Sequence, residues 1–144
     1  MPGPATMTVV GIVVLAVLVA VYLKLRQKDM LGALMDKRRP TARVVSRADY
    51  VEGAEKIPVA LSLTSDSLYY ENSDLEASFD LQRLDEIEYA EDLATGKTLH
   101  AGARVLRLRS HGAAFEFVLD DQDAKKWMAA LPPRSYGNVT AHAV

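Results

Sequence analysis

The stretch from Ala5 to Leu23, ATMTVVGIVVLAVLVAVYL, holds 19 residues without a charged side chain, and nothing else in the chain limits its fold so strongly. At about 1.5 Å per residue, a helix of that length crosses most of a hydrocarbon core about 30 Å thick. Val and Ile dominate the run and are mediocre helix formers in water. In lipid, however, only a helix satisfies every backbone N–H and C=O within the segment. A cleaved signal peptide would need a basic region before the run and a small-x-small site after it. Met1 to Pro4 and Tyr22 to Arg26 supply neither, so a permanent single-pass anchor is expected. A core helix of a soluble protein is ruled out because the rest of the chain is too small to surround a helix apolar on every face. Tyr22 is placed at headgroup level, and the Ala16 and Ala20 pair reads as apolar filler rather than a dimer contact.

Charge divides the rest of the chain in two. Residues 24–47 carry eight bases against Asp29 and Asp36, a balance of +6, whereas residues 48–144 carry nine bases against 17 acids, a balance of -8. The whole-chain net charge of -2 conceals this asymmetry and gives no reason to expect a nucleic-acid partner. Lys24, Arg26 and Lys28 flank the C-terminal end of the span, with Lys37, Arg38 and Arg39 further on, and together they form a membrane-proximal basic set. The positive-inside rule then puts the N-terminus outside the cell membrane and the bulk of the chain in the cytoplasm. Cysteine is absent, which removes disulfides, thiolate metal sites, cysteine nucleophiles and a lipid-modified N-terminal cysteine.

In the connector LRQKDMLGALMDKRR, residues 25–39, Leu31, Leu34 and Met35 recur at helical spacing before Pro40. Three readings stand: the helix continues into the cytoplasm; it lies along the headgroups with the bases near anionic lipid, each contributing about 1 kcal/mol; or it is a solvated spacer. Gly32 weakens the helical readings by about 1 kcal/mol.

Beyond Pro58 the apolar period becomes two. In VALSLT, Val59, Leu61 and Leu63 alternate with Ala60, Ser62 and Thr64; a turn at Ser65-Asp66 then pairs Leu63 with Leu68 and Leu61 with Tyr70. A turn at Asn72 to Asp74 leads into LEASFDL, with Leu75, Ala77, Phe79 and Leu81 on one face, and a strand over Ile87 to Asp92 comes next. In RVLRLRSHGAAFEFVLD, a His111-Gly112 turn sets Leu108 against Phe115, Leu106 against Phe117, and Arg107 against Glu116 on the outer surface. Asp120 or Asp121 caps a helix carrying Ala124, Trp127, Met128 and Leu131 on one face, and Pro132-Pro133 ends it. The tail from Arg134 has no periodicity and is expected to be disordered.

The string LSLTSDSLYYENSDLEASFDLQRLDEIEY, with Leu81, Leu84, Ile87 and Glu88 spaced through its end, resembles the bacterial pleckstrin-homology-like and GRAM-like pattern over residues 57–133. The resemblance implies a mainly β, α+β domain: a partly open barrel or sandwich of six to seven antiparallel strands closed by a C-terminal helix. Six strands are placed, and the seventh is sought in ARVVSRADYV, Ala42 to Val51. The expected organisation is an anchor over 1–24, a connector over 25–56, the domain over 57–133 and a tail over 134–144. The resemblance also suggests lipid-headgroup recognition by bases lining the first hairpin. This chain has Ser65, Asp66 and Ser67 there, with Lys56 nearby.

No catalytic constellation emerges. Gly96-Lys97-Thr98 copies the end of a phosphate-binding loop, but the glycine required five residues earlier is Glu91. Asp120, Asp121 and Asp123 are explained by helix capping, and His100, His111 and His142 stand apart from any nucleophile. Neither a cofactor nor a metal is expected, and the chain is not read as an enzyme. The candidate interaction surface comprises Glu88, Glu91 and Asp92, which would meet a basic partner, and Arg104, Arg107 and Arg109, which would grip phosphate or pair with Glu116 and neighbouring acids. The expected function is a membrane-anchored cytoplasmic module binding a protein partner; the alternative is a lipid sensor, with anionic lipid bound through the connector.

Overall fold

The computed structural model describes residues 4–97, 99 and 101–135. Helix α1, Pro4–Arg38, is continuous for 35 residues. At about 1.5 Å per residue it is about 50 Å long, well beyond a hydrocarbon core of about 30 Å. The helix is long and apolar enough to cross a membrane. Large apolar side chains from Val9 to Leu25 lie bare, whereas Leu31 is buried and Leu34 and Met35 are half-buried. The helical reading of the connector is therefore the one observed, and its apolar stripe packs on protein.

The remainder is an α+β unit, mainly β: one antiparallel eight-stranded sheet curled into a half-barrel. The strands are β1 Val44–Glu52, β2 Glu55–Leu63, β3 Ser67–Glu71, β4 Glu76–Asp80, β5 Glu86–Ala90, β6 Arg104–Ser110, β7 Ala113–Leu119 and β8 Arg134–Ser135. Their spatial order is β4-β3-β2-β1-β7-β6-β5-β8. Helix α2, Asp121–Ala130, comes after β7. Eight strands exceed the six to seven expected. The sought strand is β1, which begins inside the window proposed for it and runs one residue beyond its end at Val51, and β8 comes from the segment read as tail. Arg134 and Ser135 pair with Ile87 and Glu86, because the free edge of β5 offers the ladder that the tail's own sequence does not signal. Residues 136–144 lie outside the described residues.

The hairpin registers arise from alternation and turn chemistry. Leu61 faces Tyr70, Leu63 faces Leu68, and Thr64 N–H bonds the Ser67 carbonyl across Ser65-Asp66. Asn72 closes the next turn, its side-chain oxygen accepting from Asp74 N–H. In the last hairpin Leu108 faces Phe115, Leu106 faces Phe117 and Arg107 faces Glu116, as expected. His111 and Gly112 both have positive φ, 52° and 82°, as a two-residue turn of the mirror-image type demands. His111 tolerates that region poorly, so His111→Asn is expected to raise stability by about 0.5 kcal/mol, read as a small upward shift of the thermal midpoint of the full chain in detergent.

The concave side of the sheet holds the main core. Val59, Leu61, Leu63, Leu68, Leu106, Leu108 and Phe117 point inward, and α2 lays Ala124 and Trp127 across them. Tyr50 stacks on Tyr70 at 5.2 Å between ring centroids, and Phe79 meets Phe115 edge-on at 4.8 Å, which draws β4 toward β7 across the curl. Burial raises the phenol pKa of both Tyr50 and Tyr70. Asp120 caps α2 by accepting from Asp123 N–H at 2.8 Å. Met128, expected on the buried stripe, is 41% exposed instead. Helix α2 is only ten residues long, and the residues it buries are Ala124 and Trp127.

Candidate interaction surfaces

On β2, Ala60 and Ser62 alternate with inward residues and so point to the convex side, yet both are fully buried. The end of α1 covers that side. Helix α1 lies against β2, and Arg38 reaches Glu71, the residue paired with Ala60. Small residues at Ala60 and Ser62 let the helix approach closely. Arg38 Nε donates to Glu71 Oε1 at 2.7 Å, and its guanidinium lies 4.0 Å from the centroid of the Tyr69 ring. The hydrogen bond to Glu71 holds the Arg38 pKa above its usual value. Leu31 meanwhile sits beside Ile57, Pro58 and the β3–β4 turn.

This arrangement redistributes the membrane-proximal basic set. Lys24 and Arg26 are exposed on α1 beside the apolar span, and Lys28 is on the same helix, its side chain outside the described residues. Lys37 is exposed, and Arg39 pairs with Asp36 at 3.0 Å in solvent, a contact worth little. Arg38 is turned into the fold. The signal for Glu71 and Tyr69 was present in SLYYE, where alternation sets both opposite Leu68 and Tyr70, on the same side as Ala60 and Ser62.

The arginines of β6 are held by acids on both neighbouring strands. Arg107 donates to Glu116 at 2.9 Å, to Glu88 at 3.0 Å and to the Asp92 carbonyl at 3.2 Å. Arg109 pairs with Glu86 at 3.2 Å and Arg104 with Glu91 at 3.6 Å. The pairing alternative is thus the arrangement observed. Contrary to expectation, however, Arg107 and Glu116 are buried and not on an outer surface. Leu93, Ala103, Val105 and Val118 form a second apolar cluster on the convex side, and the segment after β5 folds back over it, so that Ala94 N–H donates to Glu116 at 3.0 Å. Desolvation opposes the charge on Arg107, but its hydrogen bonds to Glu116 and Glu88 prevail and leave its pKa raised. Half-buried Tyr89, its hydroxyl donating to the Leu131 carbonyl at 2.7 Å, has its pKa pushed upward by desolvation.

Of the proposed acidic surface, Glu88 is half-buried under Arg107, whereas Glu91 and Asp92 are both exposed. A different acidic feature lies at β4, the end strand of the sheet, where Glu76 and Asp80 are exposed and Asp74 precedes them. Among the described residues no cluster suited to a metal ion occurs; Thr98, His100 and His142 lie outside them. Comparison with known proteins finds no matching family model, no matching curated protein and no matching solved structure.

Proposed function

We propose that the chain is a single-pass membrane protein whose cytoplasmic domain, of pleckstrin-homology-like architecture, is a protein-interaction module that takes an extended basic segment of its partner along β4. The observation that carries this reading is the free side of β4, an end strand bonded to β3 alone among the described strands. An open edge offers backbone donors and acceptors to an added strand. Glu76, Asp80 and Asp74 repel a second copy of themselves and attract lysine and arginine. The architecture is supported by a first meander of four strands, the β5–β6–β7 meander and a C-terminal helix across the concavity. Cytoplasmic placement is supported by Lys24, Arg26 and Lys28 beside the apolar run. The arginine face of β6 gives the lipid-sensing alternative little support, because its three guanidinium groups already have carboxylate partners.

A photo-crosslinker at Ser78, on β4, tests the reading in intact cells. The expected result is an adduct whose cross-linked peptide is rich in lysine or arginine, and which falls at least tenfold when Glu76→Lys and Asp80→Lys are combined. An adduct unchanged by the double reversal, or adducts at Glu91 with none at Ser78, would overturn it.

A further inference from the structure

Between α1 and the convex side of β1 and β7 lies a cleft of about 640 Å³. Its helical wall is Val21, Lys24, Leu25 and Leu31, so one side is built from the last apolar turns of the span and its first cation. The opposite wall is the sheet, with Pro58 and Val118 contributing apolar surface. Arg47 lines the cleft with Lys24 as a second cation, while Asp49, Asp120 and Asp123 line it as acids. A space of this size, largely apolar with a few charged groups, has the make-up of a small-molecule site. With α1 in a bilayer, Val21 and Leu25 belong to the hydrocarbon boundary and Lys24 to the headgroup layer, so the cleft opens at the depth where a phospholipid changes from tail to head.

From this geometry we propose that the cleft holds one bilayer phospholipid whose head carries both a phosphate and a primary ammonium, a phosphatidylethanolamine-type lipid. The acyl chain lies against Val21 and Leu25, the glycerol end of the lipid reaches toward Leu31 and Val118, the phosphate meets Lys24 and Arg47, and the ammonium donates to carboxylates among Asp49, Asp120 and Asp123. An anionic lipid without the ammonium satisfies the two cations but brings more negative charge to the three acids. A primary ammonium supplies three donors for charge-assisted hydrogen bonds to them. The Asp123 carboxyl is consistent with this: burial first, and then Asp120, raise its pKa against the opposing charge of Lys126, and a further cation would offset the rise.

This site rests on α1 being embedded in a bilayer, which alkaline carbonate washing of membranes tests separately. Retention of the chain supports the premise, and its release would overturn both readings. The site itself is tested by native mass spectrometry of the full chain, stripped of lipid in neutral detergent and given equal amounts of dioleoyl-phosphatidylethanolamine and dioleoyl-phosphatidylglycerol. The wild type is expected to retain one ethanolamine lipid with at least tenfold preference. Asp49→Lys combined with Asp123→Lys should shift the preference toward the glycerol lipid. Val21→Trp, which fills the helical wall, should lose the retained lipid. Wild-type chain carrying the two lipids in the proportion supplied would overturn the proposal, whatever the variants do; so would a Val21→Trp chain with unchanged far-UV circular dichroism and unchanged retention.

Discussion

Replacing Trp127 by alanine is expected to destabilise the domain by about 3–5 kcal/mol, a large share of the roughly 5–15 kcal/mol typical of a whole domain. Trp127 is the sole tryptophan of the chain and fully buried, and its indole N–H donates to Ser46 Oγ at 2.8 Å. It joins the closing helix to β1, two elements 81 residues apart in the chain. Truncation would leave a cavity in the middle of the concave core and strand a buried hydroxyl. Trp127→Phe separates the two effects: it retains most of the apolar surface and leaves Ser46 without its donor, at about 1–3 kcal/mol. Met128→Ala, on the same helix but partly in solvent, should stay within about 0.5 kcal/mol of the wild type. Urea unfolding of the full chain in detergent, followed by far-UV circular dichroism, ranks the three. Equal midpoints for Trp127→Ala and Met128→Ala would show that α2 does not close the core.

Arg107→Ala should cost about 3–5 kcal/mol, for an electrostatic reason. The guanidinium serves Glu116, Glu88 and the Asp92 carbonyl, and the Arg107 and Glu116 side chains are each only 11% exposed. Its removal leaves Glu116 buried without its cation. The pair Arg107→Met with Glu116→Leu should recover most of that loss, because that pair of charges is then no longer buried. Recovery stays incomplete, since Ala94 N–H loses its acceptor, at about 1–3 kcal/mol. The buried fluorescence of Trp127 reports unfolding in each variant. A single mutant within about 1 kcal/mol of the wild type, or a double mutant worse than the single, contradicts the buried-pair account. The Arg109 and Glu86 pair, more open to solvent, should matter far less and weaken with salt.

The registers of the β2–β3 and β6–β7 hairpins were legible in the sequence because a strand has period two and a two-residue turn leaves one pairing that satisfies both faces. The long apolar helix was legible from hydropathy, and the capping aspartate of α2 from the residue before its apolar stripe. Alternation, however, assigns a side chain to one of two faces and says nothing about what covers that face. Ala60, Ser62, Glu71, Arg107 and Glu116 all read as outward, and all are buried.

Local pattern, then, determined the membrane-length helix, most of the strands and their hairpin partners, because each depends on residues within about ten positions of one another along the chain. Tertiary structure alone decided that Arg38 clasps Glu71, that residues 92–94 fold over Arg107, and that the last described residues complete the sheet as β8. Those outcomes depend on surfaces brought together from distant parts of the chain. A polar or small side chain carries the same signature whether it meets water or a covering segment that supplies its partner.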